Sequence, residues 1–574
     1  MAAGSPSARP AEAVVPPVRE RTSLTVTADA LPTVQINGIV WTQVMIGNVV
    51  YAGGEFTAAR PPSAARGVDE TPRKNLLAYD ITTGKLVTTF APAGFNGAVR
   101  ALAVSSDERT LYIGGDFTKA GKDARKRFAA LSASTGSLKS TKLSFNKTVR
   151  ALVADSRAIY VGGAFTLAGS KKRSRLAAIK VSSGKLSTWK AKANSTVKAL
   201  VLTKGSKLLV AGGHFTKLNS TAAPGSGAVS PKTGKVKTWK MNKIVKNGGK
   251  KGVRSSSIMG LAVDGDTVYG TGMTWGSGNF EGVFAASSKD GTLRWLQDCH
   301  GDTYSVAPIG DVVYSVGHAH YCSNIGGFPD ISDDPKLRTT WYRALAVTKA
   351  AAGSVAKNGQ TSSKAYTNFQ GRPAPALLNW FPRLSSGTFT GEAQAAWSIV
   401  GNRTYVSMGG EFPMVNGAAQ EGLVRMAIPA VAPNKVGPAG IGDMALDAQA
   451  QADGKVALDW GQLWDRDDLT LTYSVTRNGT LIHRQTASVP FWKRSRMTFV
   501  DADAYSDPSS TLKYYVTVTD PNGNSGTSSS ARVDRPPISS IPDPIPPPVP
   551  TLSASPSASP SESSTPSASP TESA

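Results

Sequence analysis

The sequence predicts an all-β protein in which a seven-bladed β-propeller is followed by a smaller β-sandwich and a disordered tail. Two observations carry this prediction. A short pattern, TLYIGGDFT at residues 110–118, recurs along most of the chain. Each copy belongs to a unit of four β-type runs, and such units at a spacing of about 50 residues are typical of propeller blades.

The repeat spans residues 22–430. Clear copies occur at residues 49–57, 158–166, 208–216 and 404–412, with degenerate copies, TVYGTGMTW and VVYSVGHAH, between the last two. The blade-marking second glycines are Gly54, Gly115, Gly163, Gly213, Gly272, Gly317 and Gly410. Successive units are blade-sized except the last, where residues 349–375 form a predicted polar insertion. We expect the paired glycines to allow close backbone approach and the following phenylalanine to pack between blades.

Within the second unit, the predicted strands are residues 99–104, 110–117, 127–132 and 138–145. The seventh unit stops after its third strand, residues 423–428. The chain's first β-type run, residues 23–35, resembles a fourth strand. The sequence therefore predicts that this N-terminal strand completes the last blade and removes an exposed sheet edge.

The two ends of the chain have other compositions. Residues 1–21 are predicted to be a disordered leader without a visible signal peptide. Residues 436–534 show alternating runs with the spacing of an immunoglobulin-like sandwich, with Trp460 and Tyr514 or Tyr515 as core anchors. Residues 535–574 form a Pro/Ser/Thr-rich stalk, whose composition favours an extended, disordered chain.

Charge is concentrated in one sector. Residues 119–254 contain 31 lysines and arginines against two acids, Asp123 and Asp155, within a chain of net charge +24. This sector will attract polyanions, and the alternatives are a solvated surface or attachment to an acidic cell-wall or capsular polymer. Specific nucleic-acid binding is disfavoured because no recognition motif accompanies the lysines. No apolar run of membrane-spanning length occurs.

The motifs GGEFT, GGDFTKAG and GGAFTLAG resemble the delta-60 type repeats of exported actinobacterial β-propeller proteins. LKYYVTVTDPNGNSG resembles the last strands of fibronectin type III domains. The resemblance implies a secreted or cell-surface protein, and it implies no defined reaction because a fold alone does not confer one.

The one chemical cluster lies in the sixth unit, in the segment DCHGDTYSVAPIGDVVYSVGHAHYC. Its cysteines, Cys299 and Cys322, are the only two in the chain, and a bond between them would stabilise the fold by about 3 kcal/mol. The candidate ligand set for a divalent metal is His300, Asp302, His318 and His320. The same residues could instead form a general base pair or a hydrogen-bonded loop network. No motif establishes a cofactor.

The residue after each second glycine is predicted to mark one propeller face. The polar members of this set are Glu55, Asp116, His214, His318 and Glu411. They either cap strand ends or line a polar ligand funnel.

The leading functional hypothesis is non-enzymatic recognition of a glycan, wall polymer or protein through this face. The alternatives are a metal-assisted lyase or hydrolase that uses the histidine cluster, and a structural component of the cell envelope. Whether the chain is an enzyme, its ligand, its oligomeric state and its means of export and anchoring stay open.

Overall fold

A computed structural model describes residues 14–249, 256–274, 278–330, 341–359 and 366–535. Over these residues the chain is all-β, as the sequence predicts. In the same ranges, no helix has the length and apolar character that crossing a membrane requires. The stalk from residue 536 onward and residues 1–13 of the predicted leader lie outside the described residues.

Strands account for nearly all regular structure. Those of the first half are β1 (Gln35–Ile36), β2 (Ile39–Ile46), β3 (Val49–Glu55), β4 (Ala58–Arg60), β5 (Thr71–Pro72), β6 (Leu76–Asp80), β7 (Val99–Val104), β8 (Thr110–Gly115), β9 (Lys119–Ala120), β10 (Asp123–Ala124), β11 (Phe128–Ser132), β12 (Val149–Ala154), β13 (Ala158–Gly163), β14 (Leu167–Ala168), β15 (Lys171–Lys172), β16 (Leu176–Lys180), β17 (Val197–Leu202), β18 (Leu209–Gly213), β19 (Lys217–Leu218), β20 (Thr221–Ala222), β21 (Ser226–Val229) and β22 (Val236–Lys237).

The second half continues the same pattern and then changes after residue 430. Its strands are β23 (Ser256–Asp264), β24 (Thr267–Thr274), β25 (Gly282–Ser287), β26 (Leu293–Gln297), β27 (Thr303–Ile309), β28 (Val312–Ala319), β29 (Tyr342–Ser354), β30 (Pro373–Leu377), β31 (Ala396–Gly401), β32 (Tyr405–Gly410), β33 (Met414–Val415), β34 (Ala418–Ala419), β35 (Leu423–Ala427), β36 (Asp447–Ala450), β37 (Val456–Gly461), β38 (Thr470–Arg477), β39 (Thr480–Ser488), β40 (Arg496–Asp501), β41 (Thr511–Thr519), β42 (Ser525–Thr527) and β43 (Ala531–Asp534). Short 3-10 turns lie at Lys204–Ser206, Lys240–Lys243, Ser323–Ile325, Ile441–Asp443 and Ala504–Ser506.

Seven antiparallel sheets follow one another within the described part of residues 39–427. They are β2-β3-β6, β7-β8-β11, β12-β13-β16, β17-β18-β21-β22, β23-β24-β25-β26, β27-β28-β29-β30 and β31-β32-β35. The first strand of each sheet contacts the first strand of the next, and β31 contacts β2. The seven first strands therefore surround a common channel.

The paired glycines are required by close packing, as the sequence predicts. A Cβ at Gly115 would clash with the backbone oxygen of Ala98, on the neighbouring strand of its own sheet. A Cβ at Gly114 would clash with the side chain of Val149, which is the first residue of the next sheet. In the last sheet, Gly409 receives Val40 of the first sheet in the same way. The motif thus sets both the spacing within a sheet and the contact between sheets.

The N-terminal segment lies beside the last sheet. The backbone N–H groups of Thr27 and Leu31 donate to the carbonyl oxygens of Ala427 and Arg425, at 2.8 and 2.9 Å. This segment consists of isolated hydrogen bonds rather than a regular strand over residues 23–35. The order also begins earlier than the predicted leader boundary, because Arg21 forms an ion pair with Asp468 at 3.0 Å.

The outer strands are shorter than the sequence predicts. In the second sheet, the run at residues 138–145 makes only a bridge from Leu138 to Leu131 before it leaves the sheet. Its lysine, serine and threonine side chains gain little from packing against an edge, and a short edge strand limits pairing with other chains. The predicted insertion at residues 349–375 differs too, because its first residues extend β29 as far as Ser354.

Residues 447–534 form two antiparallel sheets, β36-β37-β40 and β39-β38-β41-β42, with β43 paired to β41. Trp460 and Tyr514 are both fully buried in the core that the two sheets share. Tyr514, not Tyr515, is therefore the core tyrosine of the doublet. An aromatic cluster joins this unit to the ring of sheets, with Phe491 stacked 4.5 Å from Tyr342 and 4.9 Å from Phe381.

Candidate functional site

The start of each first strand carries a β-bulge that directs a side chain into the channel. The pairing register of the second sheet shifts between Val99 and Ala101, and the other six first strands shift at the equivalent place. A bulge leaves one residue unpaired and re-aims its side chain. The bulged residues that line the channel are Trp41, Arg100, Arg150, Lys198, Met259, Tyr304 and Trp397.

These seven residues surround the entrance of a cavity of about 1050 Å³ at this end of the channel. We call this entrance the mouth. Its volume lies at the upper end of the range for small-molecule sites, about 300–1,000 Å³. Chemistry divides the mouth in two: a cationic arc of Arg100, Arg150 and Lys198 on three successive sheets, and an aromatic arc of Tyr304, Trp397 and Trp41 on three others. Met259 separates the arcs on one side.

Arg100 is held in place at one end of the cationic arc. Its Nε donates to Asp116 Oδ2 at 3.0 Å, and its guanidinium lies 4.2 Å from the ring centre of Trp41. Burial would raise the pKa of Asp116, but hydrogen bonds from Thr148 and Arg100 outweigh it and hold that pKa below its usual range. Asp116 is therefore a charged support that positions Arg100.

The other two cations have no such support. No ion pair to a described carboxylate is formed by Arg150 or Lys198. Burial, together with the positive charges of Arg150 and Arg100, lowers the pKa of Lys198 from 10.5 to about 7. Burial and the neighbouring Arg100 also lower the pKa of Arg150. The mouth thus concentrates positive charge that the described protein groups leave largely unbalanced.

The aromatic arc is a continuous surface. Trp397 stacks on Tyr304 with ring centres 4.2 Å apart, and it contacts Trp41 at 4.9 Å. The indole N–H of Trp397 donates to Glu411 at 3.0 Å, which fixes the ring. Trp341 extends the surface and stacks on His318 at 4.7 Å. Such contacts lock the rings in place and leave an apolar wall on one side of the cavity.

His318 lines the cavity, but both of its ring nitrogens are occupied. Nε2 accepts the backbone N–H of Asp302 at 3.3 Å, and Nδ1 lies 3.1 Å from Gln394 Oε1. Burial lowers the pKa of His318 from 6.5 to about 3. The imidazole is therefore neutral and engaged at neutral pH, which makes it a structural part of the wall.

The remaining members of the predicted cluster lie elsewhere. His320 is on the same side of β28 as His318, as the spacing predicts, and its Nδ1 lies 3.3 Å from Asp330. His300 is buried, stacks on Tyr366 at 3.7 Å and approaches Asp298 at 3.8 Å.

The four predicted ligands do not meet as one set of metal-binding atoms. Among the described residues, the one group of at least three His, Cys, Asp or Glu side chains with that spacing is Asp465, Asp467 and Asp468, outside the ring of sheets. The reason is that stacking and hydrogen bonds direct the three histidines to different partners. Asp302, for example, accepts the backbone N–H of Thr274 at 3.2 Å.

The predicted disulfide is present. Cys299 and Cys322 are bonded, with their Cα atoms 4.4 Å apart and 23 residues between them in sequence. The backbone N–H of His300 donates to Tyr321 at 2.8 Å beside this bond. The bond therefore ties the entry of β27 to the loop that follows β28, behind the aromatic side of the mouth.

The five residues predicted to mark a face have three different roles. His214 and His318 line the cavity. Asp116 and Glu411 stand behind the lining and position Arg100 and Trp397. Glu55 is exposed and lies outside the cavity lining.

Burial and the charge of Lys198 lower the pKa of His214 to about 4, so this imidazole is neutral.

Sequence reasoning missed the bulged residues themselves. The signal was present as VRAL, VRAL and VKAL at the starts of β7, β12 and β17, where a cation follows a buried valine in three consecutive units. In an unbroken strand that cation would alternate away from its neighbours. Only the bulge, which sequence periodicity does not reveal, places all three in the channel.

No protein-family model matches this chain, and no curated protein is significantly similar to it. Two solved structures resemble it in overall shape. The β-propeller domain of Cps50 (Swd1) from Myceliophteria thermophila covers 70% of this chain and 99% of its own length, with 10% identity and a TM-score of 0.40. A chain of the Mitotic Checkpoint Complex covers 75% and 97%, with 12% identity and a TM-score of 0.38.

Proposed function

We propose that this chain is an exported, seven-bladed β-propeller of the delta-60 type that recognises an anionic polymer of the cell envelope through its mouth. The sandwich of residues 447–534, which we assign to the fibronectin type III class, and the stalk project the propeller outward. One observation carries the proposal: Arg100, Arg150 and Lys198 converge on one cavity.

Convergent cations are costly without an anion. Taking charges out of water is unfavourable, and like charges in proximity add repulsion. The lowered pKa of Lys198, to about 7, has both of these causes. A ligand carboxylate or phosphate would relieve both, and charge-assisted hydrogen bonds to arginine are among the stronger polar contacts.

The surface around the cationic arc extends the same preference. The three cations belong to the second, third and fourth sheets, and these sheets lie within or next to the basic sector of residues 119–254. Exposed lysines such as Lys171 and Lys172 lie on the outer hairpins of that sector. A polymer held at the mouth would therefore continue across a positively charged surface.

Recognition is favoured over turnover by the state of His318. A general base needs a free lone pair and a pKa near the working pH. His318 has both nitrogens engaged, and its pKa is lowered to about 3. Export is supported by the disulfide, which persists in oxidising compartments, and by the composition of the stalk.

Binding of the full chain to immobilised polygalacturonic acid tests the proposal. The double variant R150Q/K198Q removes two charges from the mouth, and K171Q/K172Q removes two from the outer surface. Loss of one charged hydrogen bond costs about 1.5–3 kcal/mol, so we expect the first variant to bind at least about tenfold more weakly. The second should change affinity by less than about threefold. Equal weakening by both variants would reduce the interaction to long-range attraction and would refute a site at the mouth.

A further inference from the structure

The aromatic arc specifies the ligand further than its charge does. Tyr304, Trp397 and Trp41 stand on adjacent sheets, next to the cationic arc, and Arg100 stacks on Trp41 where the two arcs meet. A ligand that contacts both arcs must carry its anion on a group with an apolar face. A bare inorganic anion would use only half of the mouth.

The polar groups between the arcs are suited to hydroxyls. Gln43, Ser305, Thr390, Gln394 and Ser398 line the cavity, together with the acidic residues Asp302 and Glu392. Amide and hydroxyl groups both donate and accept hydrogen bonds, and ionised carboxylates accept several. This mixture suits a ligand with many hydroxyls around an apolar ring.

The packing of the rings argues against a nucleobase. A base between two parallel rings needs them about 7 Å apart, which is twice the usual carbon–carbon contact distance. The ring centres of Tyr304 and Trp397 are 4.2 Å apart, and those of His318 and Trp341 are 4.7 Å apart. The rings already fill the gaps between each other, so the arc offers a wall and not a slot.

Building on the proposed function, we propose that the mouth binds an acidic saccharide, a pyranose that carries a carboxylate or phosphate. Its apolar face packs on Trp397 and Trp41 while its anionic group meets Arg150 and Lys198. The hydroxyls lie toward the polar groups between the arcs. This chemistry is that of the uronic acid or sugar phosphate units of an acidic glycan.

Isothermal titration of the full chain tests this assignment with four probes: glucuronic acid, glucose, inorganic phosphate and adenosine monophosphate. We expect glucuronic acid to bind at least about tenfold more tightly than glucose or phosphate, because it alone contacts both arcs and the hydroxyl-binding groups. Equal affinities for glucuronic acid and phosphate, or tighter binding of the nucleotide, would overturn the saccharide assignment and leave the anion site intact. Binding of none of the three anions would overturn the proposed function as well.

Two variants of Trp41 separate stacking from charge. The indole N–H of Trp41 has no hydrogen-bond partner among the described residues, so its removal leaves no described group without one. We expect W41L to reduce the preference for glucuronic acid over phosphate to about twofold, with phosphate affinity changed by less than about twofold. W41F keeps a ring and should retain most of the preference. R150Q should weaken both anions about tenfold. Retention of the full preference in W41L would contradict a role for the aromatic arc.

Discussion

Replacing Lys198 by methionine should make the protein more stable, because the cationic arc is maintained for binding at a cost to folding. A pKa lowered from 10.5 to about 7 sets a ceiling of about 5 kcal/mol on that cost, since one pH unit corresponds to about 1.4 kcal/mol. The ammonium is only half-buried, so solvent screens much of it, and we expect a gain of about 1–2 kcal/mol at pH 6.

The gain should depend on pH with a defined sign. Below about pH 7, Lys198 is charged in both states and the cost is complete. Between pH 7 and 10.5 the unfolded chain keeps the proton that the folded chain has released, so the stability of the wild-type protein rises with pH relative to the variant. The groups that act on Lys198 are Arg100, Arg150, His214 and Glu392, and all of them remain in the variant.

Urea denaturation of both proteins from pH 6 to pH 10 measures this difference, and titrations common to both cancel. The control is K185M, at an exposed lysine on a hairpin, which should change stability by less than about 0.5 kcal/mol. A variant less stable than the wild type at pH 6, or a difference that does not shrink toward pH 10, would refute the reasoning.

Three further predictions concern the frame around the mouth. Gly115→Ala should destabilise the fold by about 1–3 kcal/mol, because its Cβ would meet the backbone of Ala98; Gly442→Ala, in open space, is the control, and equal effects would contradict the packing argument. Replacing Cys299 and Cys322 together by alanine should cost about 3 kcal/mol in chemical denaturation, from the 23-residue separation; an unchanged midpoint would count against this. The imidazole NMR signals of His318 should not titrate between pH 4 and pH 8, because burial lowers its pKa to about 3; an inflection near pH 6.5 would show that the ring is accessible.

The sequence by itself determined the local parts of this protein. Strand positions followed from alternation and turn residues, so that β7 and β38 have the predicted bounds. The paired glycines announced close packing because few other reasons place two adjacent glycines at the end of a buried strand. The disulfide followed from the presence of only two cysteines within one unit.

The tertiary structure alone decided the site. The histidine cluster is close in sequence, but competing partners direct His300, His318 and His320 to different places. The residues of the mouth are the opposite case, since Trp41 and Trp397 are 356 positions apart in the sequence and their rings are in contact. Their convergence depends on seven β-bulges and on closure of the ring between β31 and β2. These are features of strand register and long-range packing, and a pattern of residue types along the chain does not encode them visibly.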